Sequence, residues 1–448
     1  MGDTSRSQTV STKQERIAEL ARQMPDKQLT SLSQHIDLNW MYEAYRLTRK
    51  DGAVGIDGQS AKEFAVDLRD NLQQLLDAAK SGQYRAPAVR RVNIPKGKGK
   101  TRPLGIPTFA DKVLQRAFVM ALEPVYEQDF LDCSYGFRPG RSAHQALQSI
   151  WNQTMKMGGG SLLDLDISGF FDAMDKNQIQ EFVRQRVTDG VVKRMIGKWL
   201  NAGVMEDGQR TNSDKGTPQG GVISPLLANI YLHEVLDQWY ERDVRPRMRG
   251  RTFMVRYADD VVMCFEREED ARRVLEVLPK RLERYGLSLH PEKTRLVEFQ
   301  RPSHKDNRPP EQRPPRPGTF DFLGFTHHWE RSRKGKWIVK RKTMKSRFSR
   351  ALSEIALWCR KARHLPIREQ HRILSMKLRG HDAYYGITGN SRALDNMRFF
   401  VKRIWRKWLN RRSQRARMDW VKFEKLHQRY PLPPPVVVHS IYRQSANP

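Results

Sequence analysis

Two pairs of carboxylates lie where acidic side chains are hard to explain by folding alone. The stretch Ser161-Leu162-Leu163-Asp164-Leu165-Asp166-Ile167-Ser168-Gly169-Phe170-Phe171-Asp172 alternates as a strand does. Leu163, Leu165 and Ile167 face one way and Asp164 and Asp166 the other. Central strands rarely carry carboxylates unless something pairs with them. The second pair lies in Arg256-Tyr257-Ala258-Asp259-Asp260, between the apolar runs Thr252–Val255 and Val261–Phe265. Those runs have strand composition, and the five residues between them read as a tight hairpin turn. Adjacent carboxylates at a turn repel each other and do nothing for folding. They gain a purpose if a divalent cation sits between them and a second acidic site. Taken alone, the pair fits equally a surface turn that uses Asp for its turn chemistry. With one Asp from the strand and another from the turn, two Mg²⁺ ions would serve phosphoryl transfer. One would activate a 3′-hydroxyl and the other would stabilise the leaving pyrophosphate.

The rest of the chain must position these groups. Its 448 residues suffice for two or three domains and a sizeable core. A formal charge of +31 points to a polyanion partner, nucleic acid first. The excess is uneven, since residues 341–448 hold 26 Lys/Arg against 6 Asp/Glu. Cys133, Cys264 and Cys359 lie too far apart for a disulfide framework or a zinc pair, which fits a reducing cytoplasm. No signal peptide or membrane-length apolar run is present, and residues 1–30 read as a polar, partly ordered tail.

Several further stretches carry chemistry. Arg90 to Pro107 reads as two short strands around the basic loop Lys96-Gly97-Lys98-Gly99-Lys100, suited to gripping a triphosphate. A P-loop is excluded, because Ile94 stands where its first Gly belongs and no helix follows. Tyr135 to His144 is a turn entering a helix with Ser142 as N-cap; its aromatic and arginine residues suit a template strand or a packed loop equally. Lys215 to Leu232 is a Gly/Pro loop feeding an apolar helix, where small residues allow close backbone approach to a base pair and Gln219 could bond a nucleotide. Gln300 to Gly318 is a hydrophilic proline-rich loop, and Phe320 to Phe325 a short strand whose aromatics are equally good core. Beyond Met344, Phe348, Ala351, Ile355 and Trp358 recur at helical spacing. So do Leu394, Met397, Val401, Ile404, Trp405 and Trp408, with Lys402, Arg403, Arg406 and Lys407 on the other face.

In their order these strings resemble the group II intron-encoded reverse transcriptase/maturase family over roughly residues 30 to 430. The Asp166 strand resembles motif A, Pro218 to Leu232 motif B, Tyr257 to Asp260 motif C and Gly286 to Thr294 motif D, while Leu378 to Ile387 is similar to the maturase X domain. The resemblance implies an α+β right-hand polymerase, with fingers, a palm built on an antiparallel sheet, and an α-helical thumb/maturase X domain. The divisions expected are a tail at 1–30, fingers and palm at 31–335 with an N-terminal extension at about 31–80, thumb/X at 336–430, and a proline-rich tail at 431–448.

It further implies catalysis at Asp166, Asp259 and Asp260 with two Mg²⁺ ions, Asp260 as a supporting member, and triphosphate contacts from Arg90, Lys96 and Arg102. Phe171 would bar a ribonucleotide 2′-hydroxyl, though without its neighbours it would read as core. Gln219 would touch the nucleotide. Lys293 would protonate pyrophosphate, although on residue type alone it reads as an exposed lysine. Partners would be RNA template, DNA primer, dNTPs, the parent intron RNA and a DNA target, with no membrane. No Cys/His-rich endonuclease region is present, which resembles the endonuclease-less branch. Two other readings remain: a domesticated, intron-free reverse transcriptase in repair or defence, and an RNA-binding splicing factor without polymerase activity.

Overall fold

The computed structural model describes residues 2–97, 100–206, 209–211, 220–302, 317–413 and 417–440, without the side chains of residues 2–5, 96, 97, 100, 206, 209 and 210. Eleven strands are present among them: β1 Val89–Gly97, β2 Lys100–Ile106, β3 Ser161–Asp166, β4 Val204–Glu206, β5 Gln209–Thr211, β6 Thr252–Tyr257, β7 Asp260–Phe265, β8 Arg295–Glu298, β9 Phe320–Phe322, β10 Phe325–Arg331 and β11 Trp337–Thr343. They form sheets of order β2-β1-β4-β5, β6-β7-β3-β8 and β11-β10-β9, within a mixed α+β architecture. The chain divides into two compact units, one of Met1–Ala146 with Leu163–Arg295 and one of Leu147–Leu162 with Leu296–Pro448.

The first unit is built round the helix Phe109–Asp129, which is apolar on nearly every face and buried to match. Thr108 caps it by accepting the Asp111 N–H. Residues 2–23, expected within a tail, form a 22-residue helix instead. Val10, Ile17 and Ala21 are buried on it and Gln14 bonds the Met120 carbonyl, so a thin apolar stripe suffices when the partner helix is this apolar. The buried Arg186 stops this helix, donating to the carbonyls of Ala21, Met24 and Lys27 while pairing with Asp129 at 2.7 Å. Cations at a helix C-terminus satisfy its last carbonyls and oppose its dipole.

The second unit joins β9–β11 to the helices Lys345–Lys361, Ile367–Tyr385, Ser391–Leu409 and Trp420–Arg429. Its longer segment begins at Leu296, so β9–β11 fall in one compact unit with the helices rather than with the segment grouped as fingers and palm. Buried polar contacts tie them: Asn390 bonds Thr343, and the Tyr384 hydroxyl donates to the Leu323 carbonyl at 2.8 Å. Phe320, Phe322 and Phe325 are core. The helices close over Ile355, Val401 and Trp405, which belong to the periodicities read above, and over Leu374, Leu378 and Phe423, which do not. Leu378 to Ile387 is spent largely on this packing, since Asp382 is buried against Arg398 and accepts the Val436 N–H. That contact holds part of the expected proline-rich tail, and Leu432 is buried as well. All three cysteines are free thiols. No helix among the described residues is long and apolar enough to cross a membrane.

Candidate active site

β6 and β7 pair antiparallel, with Tyr257 opposite Asp260 and Ala258-Asp259 as the two-residue connection. Ala258 has φ +55°, an uncommon left-handed conformation for a residue with a side chain. Two neighbours hold it there. A Cβ on Gly136 would lie 2.3 Å from the Ala258 nitrogen, so only glycine lets these backbones approach. The second is Arg256, which is fully buried and donates through Nη1 to the Ala258 carbonyl at 3.2 Å.

Arg256 is the hub of the hairpin. Its Nε and Nη2 grip both oxygens of Asp237, itself fully buried, at 2.8 and 2.5 Å, and Nη1 also reaches Asn229 Oδ1 at 3.0 Å. Asn229 passes the contact on by donating to the Gly136 carbonyl at 2.7 Å. Burial alone would lower the Arg256 pKa, but the Asp237 carboxylate outweighs it and, with a smaller contribution from Asp259, holds the guanidinium above its ordinary value. Asp237 ends the first of two π-helical runs, His233–Asp237 and Tyr240–Val244. The wider turn of the first run shifts its phase and brings Asn229 and Asp237, eight residues apart, onto one guanidinium. His233 in the same run is buried, and that burial pushes its pKa down to about 4.

Asp166 ends β3, whose alternation is kept, with Leu163, Leu165 and Ile167 buried and Asp164 and Asp166 part-exposed. β7, which starts at Asp260, is the neighbour of β3 in the sheet. The backbone of Asp166 accepts the His290 N–H at 2.7 Å, and Ile167 bridges to Leu289. This contact brings Lys293 Nζ to 2.8 Å from Asp166 Oδ2. Arg295 similarly meets Asp164 at 2.7 Å. After Asp166 the chain turns at Gly169, φ +51°, into a short helix where Phe171 is half-buried, its ring 5.4 Å from that of the buried Phe170.

The β1–β2 hairpin belongs to a different sheet from these carboxylates. Arg90 donates through Nε and Nη2 to the Val54 carbonyl at 3.1 and 2.8 Å, so it fastens the 50–58 loop. Arg102 lies opposite Ile94 in β2 and is exposed. Gln219 and the side chain of Lys96 lie outside the described residues. Ser142 caps its helix through a reciprocal pair with Gln145. Phe137, 55% exposed at φ +58°, stands with its ring 6.4 Å from that of Tyr257, an aromatic platform beside the turn.

Among the described residues no three His, Cys, Asp or Glu side chains are grouped so as to hold a metal on their own. The donor set still fits Mg²⁺, which is commonly held by one or two carboxylates plus substrate phosphates rather than by an all-protein cage. That an ammonium group already pairs with Asp166 shows a carboxylate accessible to a cation.

A model of the family "Reverse transcriptase (RNA-dependent DNA polymerase)" matches residues 94–327. Protein YkfC of Escherichia coli (strain K12) is 36% identical over 288 residues, covering 57% of this chain and 75% of that protein. The group II intron-encoded protein LtrA of Lactococcus lactis subsp. cremoris is 34% identical over 283 residues, covering 60% of this chain but 46% of the relative. Similarity extends to the mitochondrial nuclear intron maturase 2 of Arabidopsis thaliana, 26% identical over 175 residues, with 31% of this chain and 24% of that protein covered.

Proposed function

The chain belongs to the reverse transcriptase family, whose members polymerise DNA on RNA, and from that premise we propose that it copies RNA into DNA at Asp166, Asp259 and Asp260 and binds its parent group II intron RNA to assist splicing and retrohoming. The observation that carries the polymerase reading is the placement of these carboxylates. Asp166 closes β3, and the neighbouring strand opens at the turn bearing Asp259 and Asp260. Similarity to intron-encoded and maturase proteins carries the splicing reading. The proposed architecture is a right hand, with the β6-β7-β3-β8 sheet as palm, β1–β2 as fingers and the C-terminal helices as thumb/X.

Two Mg²⁺ ions bound by Asp166 and Asp259, with Asp260 in support, would neutralise the charge that develops on the attacking 3′-hydroxyl and on the leaving pyrophosphate. The chain's own groups do the rest. Arg256 keeps the turn rigid, so that the carboxylates are preorganised at little cost when substrate arrives. Lys293, 2.8 Å from Asp166, would turn to the departing pyrophosphate and donate a proton. Phe171 fills the space beside the sugar and bars a 2′-hydroxyl. Lys96 and Arg102 meet the triphosphate, and Arg90 joins them only by releasing the Val54 carbonyl. Gln219 bonds the incoming nucleotide, and Phe137 offers a stacking face to the template. The site of action is the cytoplasm.

The test is twofold. The full chain should extend a DNA primer on RNA with dNTPs and Mg²⁺, and it should stimulate splicing of the intron flanking its gene at low Mg²⁺. No extension removes the polymerase reading. Extension without stimulation, or without any such intron, replaces the maturase half with a domesticated enzyme.

A further inference from the structure

A cavity of about 490 Å³ opens between the 239–248 segment and the helix Glu268–Glu283 of the first unit. None of its lining residues belongs to β3, to the β6–β7 hairpin or to the Lys293 segment. The 239–248 segment is tied to the start of β6, where the Tyr240 hydroxyl meets Thr252 at 2.8 Å and Asp270 accepts the N–H groups of Arg249 and Gly250. The Asp259 turn is at the other end of that strand.

The lining is chemically one-sided. Arg247, Arg273, Lys280, Arg281 and Arg284 face Asp243 as the one acidic lining residue among those described. Asp243 is taken up by Arg247 at 3.3 Å. Arg281 is structural: it donates to the carbonyls of Glu234 and Val235 and so joins its helix to the first π-helical run. Lys280 and Arg284, four apart and therefore on one helix face, are exposed, and their side chains make no hydrogen bond or ion pair among the described residues. Trp239 and Val277, the latter 45% exposed, add an aromatic and an apolar surface to the same hollow. Unpaired cations around an open hollow repel one another, a cost that vanishes when a polyanion enters.

We propose that this hollow binds single-stranded RNA, separately from the polymerising site, with phosphates at Lys280 and Arg284 and a base or ribose against Trp239 and Val277. Cations that follow a backbone and an aromatic face that accepts any base are what sequence-tolerant single-strand binding needs. The volume suits one nucleotide at a time rather than a duplex. The assignment of RNA rests on the reverse transcriptase reading; the assignment of a phosphodiester strand rests on the hollow itself.

The experiment is photocrosslinking of the full chain to a 12-nucleotide oligouridine carrying 4-thiouridine, with peptide mapping. Wild-type protein should crosslink within 239–248 or 273–284. Lys280→Glu/Arg284→Glu should lower that yield by about tenfold while extending a preformed RNA–DNA hybrid within twofold of wild type. A thymidine oligomer carrying 4-thiothymidine should crosslink there several-fold less. Crosslinks at neither segment, an unchanged yield in the double variant, or equal yield with the DNA oligomer would each overturn the proposal. Failure of hybrid extension by wild type with the crosslinks intact would sink the polymerase reading and leave this site standing.

Discussion

Arg256→Met removes the one cation from a fully buried pair and leaves the Asp237 carboxylate with no charge partner at 0% exposure. Breaking a buried pair from one side costs about 3–5 kcal/mol, because the remaining charge is uncompensated. A domain of ordinary stability has about 5–15 kcal/mol in all, so the single variant should unfold at markedly lower urea. Arg256→Met/Asp237→Leu takes away both charges, and such replacements are often neutral or stabilising, so most of the lost stability should return. Activity should not return with it. In the double variant the Ala258 carbonyl still lacks its donor, and the left-handed turn that carries Asp259 loses one of its two restraints. A displacement of about 1 Å at reacting groups costs on the order of 100-fold in rate. The assay pairs urea unfolding with single-nucleotide extension on an RNA template, at saturating hybrid. If the double variant recovered rate together with stability, Arg256 would serve the fold alone. If Arg256→Met cost under about 1 kcal/mol, the pair would not be the hub described.

Three more outcomes follow from particular side chains. Phe171→Val should raise ribonucleotide incorporation relative to deoxynucleotide by about tenfold or more, since its half-buried ring is the proposed wall; an unchanged ratio in single-nucleotide extension would make it core. Arg403→Ala/Lys407→Ala should weaken RNA binding and flatten its salt dependence. Arg406 is better left in place, because it donates to the Met418 carbonyl and lies 4.3 Å over the Trp420 ring. Burial holds His233 at about 4 and His327 at about 3, both below the unfolded value near 6.5. Their share of stability is therefore complete above 6.5 and is lost as pH falls through it. Between pH 7 and 5.5 each should cost about 1 kcal/mol, and His327→Phe, which keeps a ring stacked on Phe320, should show a smaller fall in urea midpoint over that range.

What could be read from the chain beforehand was whatever has a local period or a local turn. The alternation of Leu163, Leu165 and Ile167 against Asp164 and Asp166 survives intact, as do the hairpin around Asp259 and the cap at Ser142. The N-terminal helix was hidden because Val10, Ile17 and Ala21 are sparse among polar residues, and only the apolar helix beneath explains their burial. Arg256 carries only half of a signal. A charge that directly follows the strand-forming run Thr252–Val255 needs a buried partner, but nothing local names Asp237. The π-helical run that delivers Asp237 has no residue period of its own. The resemblance implies a substrate cation at Arg90, whereas its contact with Val54 depends on how a loop thirty-odd residues earlier folds back.

The central claim is that Asp166 and Asp259 serve one metal-dependent phosphoryl transfer. Its most direct measurement is the rate of single-nucleotide addition to a primer on RNA by wild type, Asp166→Asn and Asp259→Asn, with hybrid affinity measured alongside. The account predicts rates down by about a thousandfold or more in both variants, with the dissociation constant for the hybrid within about threefold of wild type. Either variant adding nucleotide near the wild-type rate would contradict it.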